Sequence, residues 1–160
     1  MDNQTDRAAV EHVDLAQAEP ADDSFLRTCL FFNANRLSRA VTRMAEEQFA
    51  RTGLSPMYGY LILIVNGSPG ITQKLLAEKL YITPSTLTRF IDKLETKGLV
   101  ERKVSGKTVL VYPTDKGLAL EPQIRSASKD FKVNYQEILG EELATLLSSE
   151  LEKTSGLLEK

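Results

Sequence analysis

The sequence predicts a mainly α-helical chain that carries one small β-hairpin. Three observations support this class. Apolar residues recur at helical spacing through most of residues 24–158. Helix-starting signals stand ahead of three of those stretches, at Ser55-Pro56, Thr72 and Thr83-Pro84. The period falls from 3.6 to 2 only after Gly98, over two short β-rich runs. The 160 residues suit a single domain, and 42% hydrophobic content can fill its core. The longest apolar run, Tyr60 to Val65, is far short of the roughly 20 residues that cross a bilayer. No basic start precedes an apolar stretch, so no secretory signal is expected. Cys29 and His12 are the only residues of their types. No internal disulfide and no zinc site is therefore expected, no cofactor is implied, and a reducing cytoplasm suits the chain.

Residues 1–23 hold seven acidic residues, one arginine and no aromatic residue, and are expected to be a disordered leader. Residues 24–160 are expected to form one domain. From Ser24 to about Ala50, Phe25, Cys29, Phe32, Arg36, Ala40 and Met44 follow one helical stripe, widened by Leu26, Leu30, Leu37 and Val41, with Gly53 as the stop. Ser55 then caps a buried helix over Met57 to Val65, which the breakers Asn66-Gly67-Ser68-Pro69-Gly70 end. Thr72 caps a short helix with inner face Leu75, Leu76, Ala77 and Leu80. After the break Tyr81-Ile82, Thr83-Pro84 starts another that buries Leu87, Phe90, Ile91 and Leu94, with Ile82 stapled on Leu87. Two helices joined by so tight a turn form a helix-turn-helix. Leu99–Val104 and Lys107–Tyr112, separated by Ser105-Gly106, read as a hairpin. Thr114 caps a long helix interrupted or delayed by Pro122, and Gly140 separates it from a last helix marked by Leu143, Leu146, Leu147, Leu151, Leu157 and Leu158. This order is a winged helix-turn-helix (about 54–113) between flanking helices (about 24–52 and 115–159).

Charge is unevenly spread. The window from Ile71 to Gly117 holds nine basic and five acidic residues, net +4, while the whole chain is at −2 and the remainder therefore at −6. A basic centre in an acidic chain points to an anionic partner met on one surface. The helix opening at Thr83 offers Ser85, Thr86 and Thr88, small and polar enough for the major groove of duplex DNA, and Arg89, which can grip a guanine edge with two hydrogen bonds. The helix start at Thr83 also suits a phosphate, and Thr72, Gln73 and Lys74, at the start of the preceding helix, are further DNA-binding candidates, Thr72 as the cap and Gln73 or Lys74 through a phosphate. Lys93, Arg102, Lys103 and Lys107 are placed for phosphate contacts, which supply affinity without sequence choice.

The segments Ile71–Leu80, Pro84–Arg89 and Asp92–Arg102 resemble the MarR family of bacterial transcriptional regulators, and Thr114-Asp115-Lys116-Gly117 is similar to that family's entry into the helix after the hairpin. The resemblance implies a DNA-binding regulator, expected to be a repressor, whose terminal helices interlock into a homodimer on a pseudo-palindromic operator. The leucines of the last helix and the Phe25–Met44 stripe exceed what the winged unit alone could cover. One departure stands out. The family commonly carries an Asp-x-Arg element in the wing, whose arginine enters the minor groove; here the tip is Ser105-Gly106-Lys107. A shallower wing contact is expected, with Arg102 and Lys107 contributing to the salt dependence of binding.

Two signals for release are open. Cys29, followed by Leu30-Phe31-Phe32, is similar to the sensing cysteine of the family's peroxide-responsive branch, but Asn33 follows where that branch supplies tyrosines, and a buried structural thiol is the other reading. The family also binds small aromatic effectors, for which Phe32, Arg36, Tyr58 and Tyr60 are candidates, though aromatics at helical spacing also serve as core. No Ser-His-Asp set or phosphate loop supports an enzyme. A winged helix used only for protein contact is the remaining rival, disfavoured because the face bearing Ser85, Thr86 and Arg89 has no aromatic anchor.

Overall fold

Residues 22–159 are described by a computed structural model. His12 and nearly all of the acidic leader lie outside the described residues. The chain divides into two compact units, one ending at Leu37 and one running from Ser38 to the C-terminus.

In the first unit the expected single helix is broken. Helix α1 (Ser24–Thr28) stops at Cys29, whose backbone is extended (φ −80°, ψ 117°), and α2 (Leu30–Phe49) starts anew. The break frees the Arg27 carbonyl, which accepts a hydrogen bond from Asn33 Nδ2 at 2.9 Å. Cys29 therefore occupies a junction and is half-buried, not a position on a continuous stripe.

The second unit holds the end of α2, a 3-10 turn at Ala50–Thr52, α3 (Pro56–Gly67), β1 (Ile71–Thr72), α4 (Gln73–Lys79), α5 (Pro84–Thr96), β2 (Val100–Ser105), β3 (Thr108–Pro113), α6 (Asp115–Leu139) and α7 (Glu141–Leu158). Gly53 leaves the 3-10 turn at φ 69°, the left-handed geometry that ends helices. Phe49, Leu61, Ile62, Leu76, Leu87, Ile91, Leu94, Val111 and Ile124 form the fully buried core, shared by α2, α3, both helices of the helix-turn-helix, the central strand and α6. At Gly59 a side chain would meet the Phe49 ring at 2.6 Å, so the glycine sets how closely α3 approaches that ring. No described helix is long and apolar enough to cross a membrane.

Three details differ from the sequence reading. The sheet has three antiparallel strands in the order β1-β3-β2, because Ile71 and Thr72 pair with Val111 and Leu110. Two residues are too few to show an alternating pattern, so β1 looks like the end of a loop. The hairpin register pairs Ser105 with Thr108, which makes the turn Gly106-Lys107 rather than Ser105-Gly106, with Gly106 at φ 61°. Helix α6 runs unbroken through Pro122. One missing N–H donor costs less there than the burial of Ile124 and Ala127 returns.

Candidate nucleic-acid interface

The helix-turn-helix is fixed by its caps. Thr72 Oγ1 accepts from the Leu75 N–H at 3.1 Å, and Thr83 Oγ1 accepts from the Thr86 N–H at 3.3 Å. Each cap satisfies a backbone donor that has no partner within its own helix. Between them Tyr81 turns the chain at φ 53°, a conformation rare for a residue with a side chain, and stays exposed. Leu87, Ile91 and Leu94 bury one face of α5, leaving Ser85, Thr88, Arg89, Asp92 and Lys93 on the other.

The polar residues at the start of α5 are bound to one another. Thr83 Oγ1 donates to Thr86 Oγ1 at 2.9 Å and lies 3.1 Å from Ser85 Oγ. Thr88 Oγ1 donates to the Pro84 carbonyl at 3.0 Å, which leaves its methyl and its lone pairs outward. Arg89 is exposed and has no ion-pair partner among the described residues. The intrahelical alternative, a pair with Asp92, is not formed; Asp92 Oδ1 binds Arg102 Nη2 instead.

Arg102 sits on β2 and reaches back to α5. Its Nε donates to Glu95 Oε2 at 2.9 Å, and its Nη2 lies 2.6 Å from Asp92 Oδ1 and 2.7 Å from Glu95 Oε2. Its backbone N–H donates to Glu95 Oε1 at 2.7 Å. The guanidinium is held above its ordinary pKa, first by the hydrogen bond to Glu95. The sequence expectation gave Arg102 to phosphate; the geometry commits its fork to tying the wing to α5.

The other lysines divide in two. Lys103 pairs with Glu101 at 2.8 Å and lies over the Tyr112 ring, which raises its pKa, mainly through the Glu101 hydrogen bond. Lys93 Nζ stands 5.3 Å from the centre of the Tyr58 ring. Lys74 and Lys107 are exposed and outside any ion pair among the described residues. They share one cleft of about 430 Å³ with Thr72, Gln73, Thr108 and Val109.

Of the residues expected to form an effector pocket, Tyr58 and Tyr60 have different surroundings within the second unit. Tyr58 packs on Phe90 at 4.8 Å, facing the helix-turn-helix. Tyr60 instead opens into a cleft of about 360 Å³ whose walls include Leu63, Arg125, Ser128, Lys129, Phe131 and Lys132. Phe32 and Arg36 lie exposed on the first unit. The α6 residues of the cleft escaped sequence reading because their helix is shallowly amphipathic and carries no motif. The spacing of Arg125, Lys129 and Lys132, one helical face of cations, was the available signal.

A family model described as MarR family matches residues 52–108, which span the helix-turn-helix and most of the wing. Over those residues the chain is similar to the MarR family. A relative from Bacillus subtilis, the HTH-type transcriptional regulator YybA, is 31% identical over 93 residues, covering 56% of this chain and 61% of its own. The chain thus spans about three fifths of that relative's length. Among solved structures, the transcriptional repressor CouR bound to p-coumaroyl-CoA superposes with a TM-score of 0.77 at 23% identity, covering 85% of this chain and 98% of that one. CouR bound to a 23-mer DNA duplex gives 0.74 at 24%, covering 81% and 94%. At these identities the two structures establish the fold alone, a winged helix-turn-helix.

Proposed function

We propose that the protein is a sequence-specific, duplex-DNA-binding transcriptional regulator, not an enzyme, that acts in the cytoplasm as a homodimeric repressor. The observation that carries this reading is the outward face of α5, where Arg89 stands free of any ion pair among the described residues while Asp92, three residues on, binds Arg102 instead. A free guanidinium beside small polar side chains on a capped helix suits the major-groove edges of base pairs. Ser85, Thr86 and Thr88 read alongside it, once their local hydrogen bonds are exchanged for base contacts.

Pairing is supported by α7, where Leu143, Leu146, Leu151, Leu157 and Leu158 are all exposed in the single chain. Such a row of leucines calls for a cover, and a two-fold copy gives two reading helices to one pseudo-palindrome. The domain limits follow: a winged unit over about 54–113, with dimerisation helices on either side.

Release fits the Tyr60 cleft. Its size suits a small aromatic molecule. Phe131 and Tyr135, with ring centres 5.1 Å apart, form an apolar wall, while Arg125, Lys129 and Lys132 favour an anionic group. The fold neighbour CouR is described with p-coumaroyl-CoA, an aromatic anion.

The test is enrichment of duplexes from a random pool by the full chain, followed by anisotropy at two salt concentrations against competitor. A preferred duplex with two-fold symmetry and a protein dimer in light scattering are expected; no preference at low salt overturns the reading. Peroxide-treated protein and added aromatic carboxylates serve as further arms, the first reporting on Cys29.

Arg102 gives a separate expectation. Arg102→Ala should destabilise the fold by about 1–3 kcal/mol, because Glu95 and Asp92 lose a charged partner in a partly shielded site. Its DNA affinity should fall while the slope of log affinity against log salt stays unchanged, since no phosphate contact is lost. Thermal melts and salt titrations check both. A slope lowered by about one would return Arg102 to the phosphate backbone.

A further inference from the structure

We infer that Arg125, Glu121 and Asn66 form a release relay, in which an anionic group seated in the Tyr60 cleft draws Arg125 from Glu121 and so loosens the joint between α3 and the start of α6. The inference rests on the proposed release through that cleft and adds the positioning residues that carry its signal.

The contacts run without a gap. Of the three cations in the cleft, Arg125 alone has an ion-pair partner among the described residues, and that partner lies outside the cleft. Its Nε donates to Glu121 Oε1 at 2.7 Å. The other oxygen, Glu121 Oε2, accepts from Asn66 Nδ2 at 3.0 Å, and the same amide donates to the Gly117 carbonyl at 3.3 Å. One carboxylate thus divides its two oxygens between the cleft and the end of α3. Both bonds favour its charged form and hold its pKa below the ordinary value, the Arg125 bond foremost.

Asn66 stands where the chain enters and leaves the winged unit. On one side α3 ends at Gly67 and turns through Ser68-Pro69-Gly70 into β1, whose Thr72 caps α4. On the other, Gly117 belongs to the first turn of α6, which Thr114 fastens to the Gly98 carbonyl beyond α5. The amide that ties these two edges is itself thinly secured. Its Oδ1 is buried with no hydrogen-bond partner among the described residues, so only the NH2 group holds it. Without Glu121 it keeps the longer bond to Gly117 alone, in a place where unmet polar groups are costly.

Arg125 is easily drawn away. It holds Glu121 by a single hydrogen bond from Nε, its side chain is 62% exposed, and an exposed ion pair within one helix is worth little. A carboxylate in the cleft offers the fork two bonds in one plane, and its charge repels Glu121. Glu121 then turns toward solvent and releases Asn66. By reciprocity, whatever the anion takes from the joint, the joint takes from the affinity for the anion.

The test follows binding of the full chain to the duplex enriched from a random pool, with Arg125→Gln, Glu121→Gln, Asn66→Ala and their pairs. The relay predicts that each single variant lowers DNA affinity by about fivefold or more, with the salt slope unchanged. The deciding pair is Arg125→Gln with Asn66→Ala, which share no hydrogen bond and meet only through Glu121. Their combination should fall no further than either alone. Losses that multiply, or three single variants that bind as the wild type does, overturn the relay. Asn66→Ser closes the same cycle if the alanine variant does not fold. Benzoate, cinnamate and 1-naphthoate supply a second readout, which a merely structural role for Glu121 does not move. A probe that binds the wild type and releases it from DNA should bind Glu121→Gln more tightly yet weaken its DNA binding no further. Equal release of the wild type and Glu121→Gln overturns the relay and leaves the effector cleft standing. If no probe binds the wild type, the effector reading falls and takes the relay with it.

Discussion

Arg89→Ala should lose about 1–3 kcal/mol of binding free energy per half-site on the preferred duplex, on the order of 10- to 100-fold, while binding to unrelated duplex changes far less. The asymmetry follows from where the side chain stands. Arg89 projects from the second turn of α5, is exposed, and competes with no carboxylate for its own charge. A contact of that kind to a guanine edge uses two donors held in one plane, so Arg89→Lys should restore the charge without restoring the discrimination. Competition anisotropy, with the preferred duplex and a scrambled one, separates the two losses. Equal weakening on both duplexes, with the salt slope reduced by about one, would assign Arg89 to a phosphate and leave sequence choice to the hydroxyls of Ser85, Thr86 and Thr88.

The caps of the reading head are legible in the sequence because each is a local contract. Thr72 and Leu75 are three residues apart, as are Thr83 and Thr86, so the residue types at those spacings carry the geometry with them. The basic window is legible for a similar reason, since charge can be counted without knowing the fold. What a charge is attached to cannot be counted. Arg102 lies seven residues from Glu95 and ten from Asp92, across the turn from helix to strand. Lys93 meets Tyr58 from another helix, thirty-five positions away. Four cations that look alike in sequence therefore divide into one that braces the wing (Arg102), two that are held locally (Lys93 and Lys103) and one that stands free (Lys107).

The fold shows the same division. Buried runs, proline-led helix starts and the left-handed glycines place nearly every element to within a few residues. The breaks they miss are those set by distant partners. β1 exists only because β3 lies beside it. α6 passes Pro122 because α3 packs along it, with Asn66 Nδ2 donating to Glu121 Oε2 at 3.0 Å and to the Gly117 carbonyl at 3.3 Å. The interruption at Cys29 has no comparable sequence signal: neither glycine nor proline marks it, and the carbonyls it frees are met by Thr28 Oγ1, the Cys29 N–H and Asn33 Nδ2.

Gly117→Ala should be the most destabilising single methyl in the chain, at about 3 kcal/mol or somewhat more. The side chain it adds would drive into the Leu99 carbonyl oxygen. That oxygen belongs to backbone and cannot rotate aside as the tip of a side chain could. The neighbourhood is pinned on several sides. Thr114 Oγ1 donates to the Gly98 carbonyl at 2.7 Å and accepts from the Gly117 N–H at 3.1 Å, and Lys116 Nζ donates to the Lys97 carbonyl at 2.8 Å. Thr114 and Gly117 thus act together, the threonine fastening the first turn of α6 to the end of α5 and the glycine letting it come close. An alanine at 117 must push α6 off the winged unit or unwind that first turn. Thermal melts at one fixed protein concentration should show a fall of roughly 6–12 °C, taking 2–4 °C per kcal/mol for a chain of this size. Gly156→Ala is the matched control: the glycine is exposed inside α7, nothing lies within 4 Å of the added carbon, and helix propensity alone should raise stability by about 0.5–1 kcal/mol. If both variants melted with the wild type, the contact between α6 and Leu99 would be looser than its geometry shows. If only Gly117→Ala falls, and DNA affinity falls with it, the seam between α5 and α6 is the joint through which the dimerisation helices set the angle of the reading head.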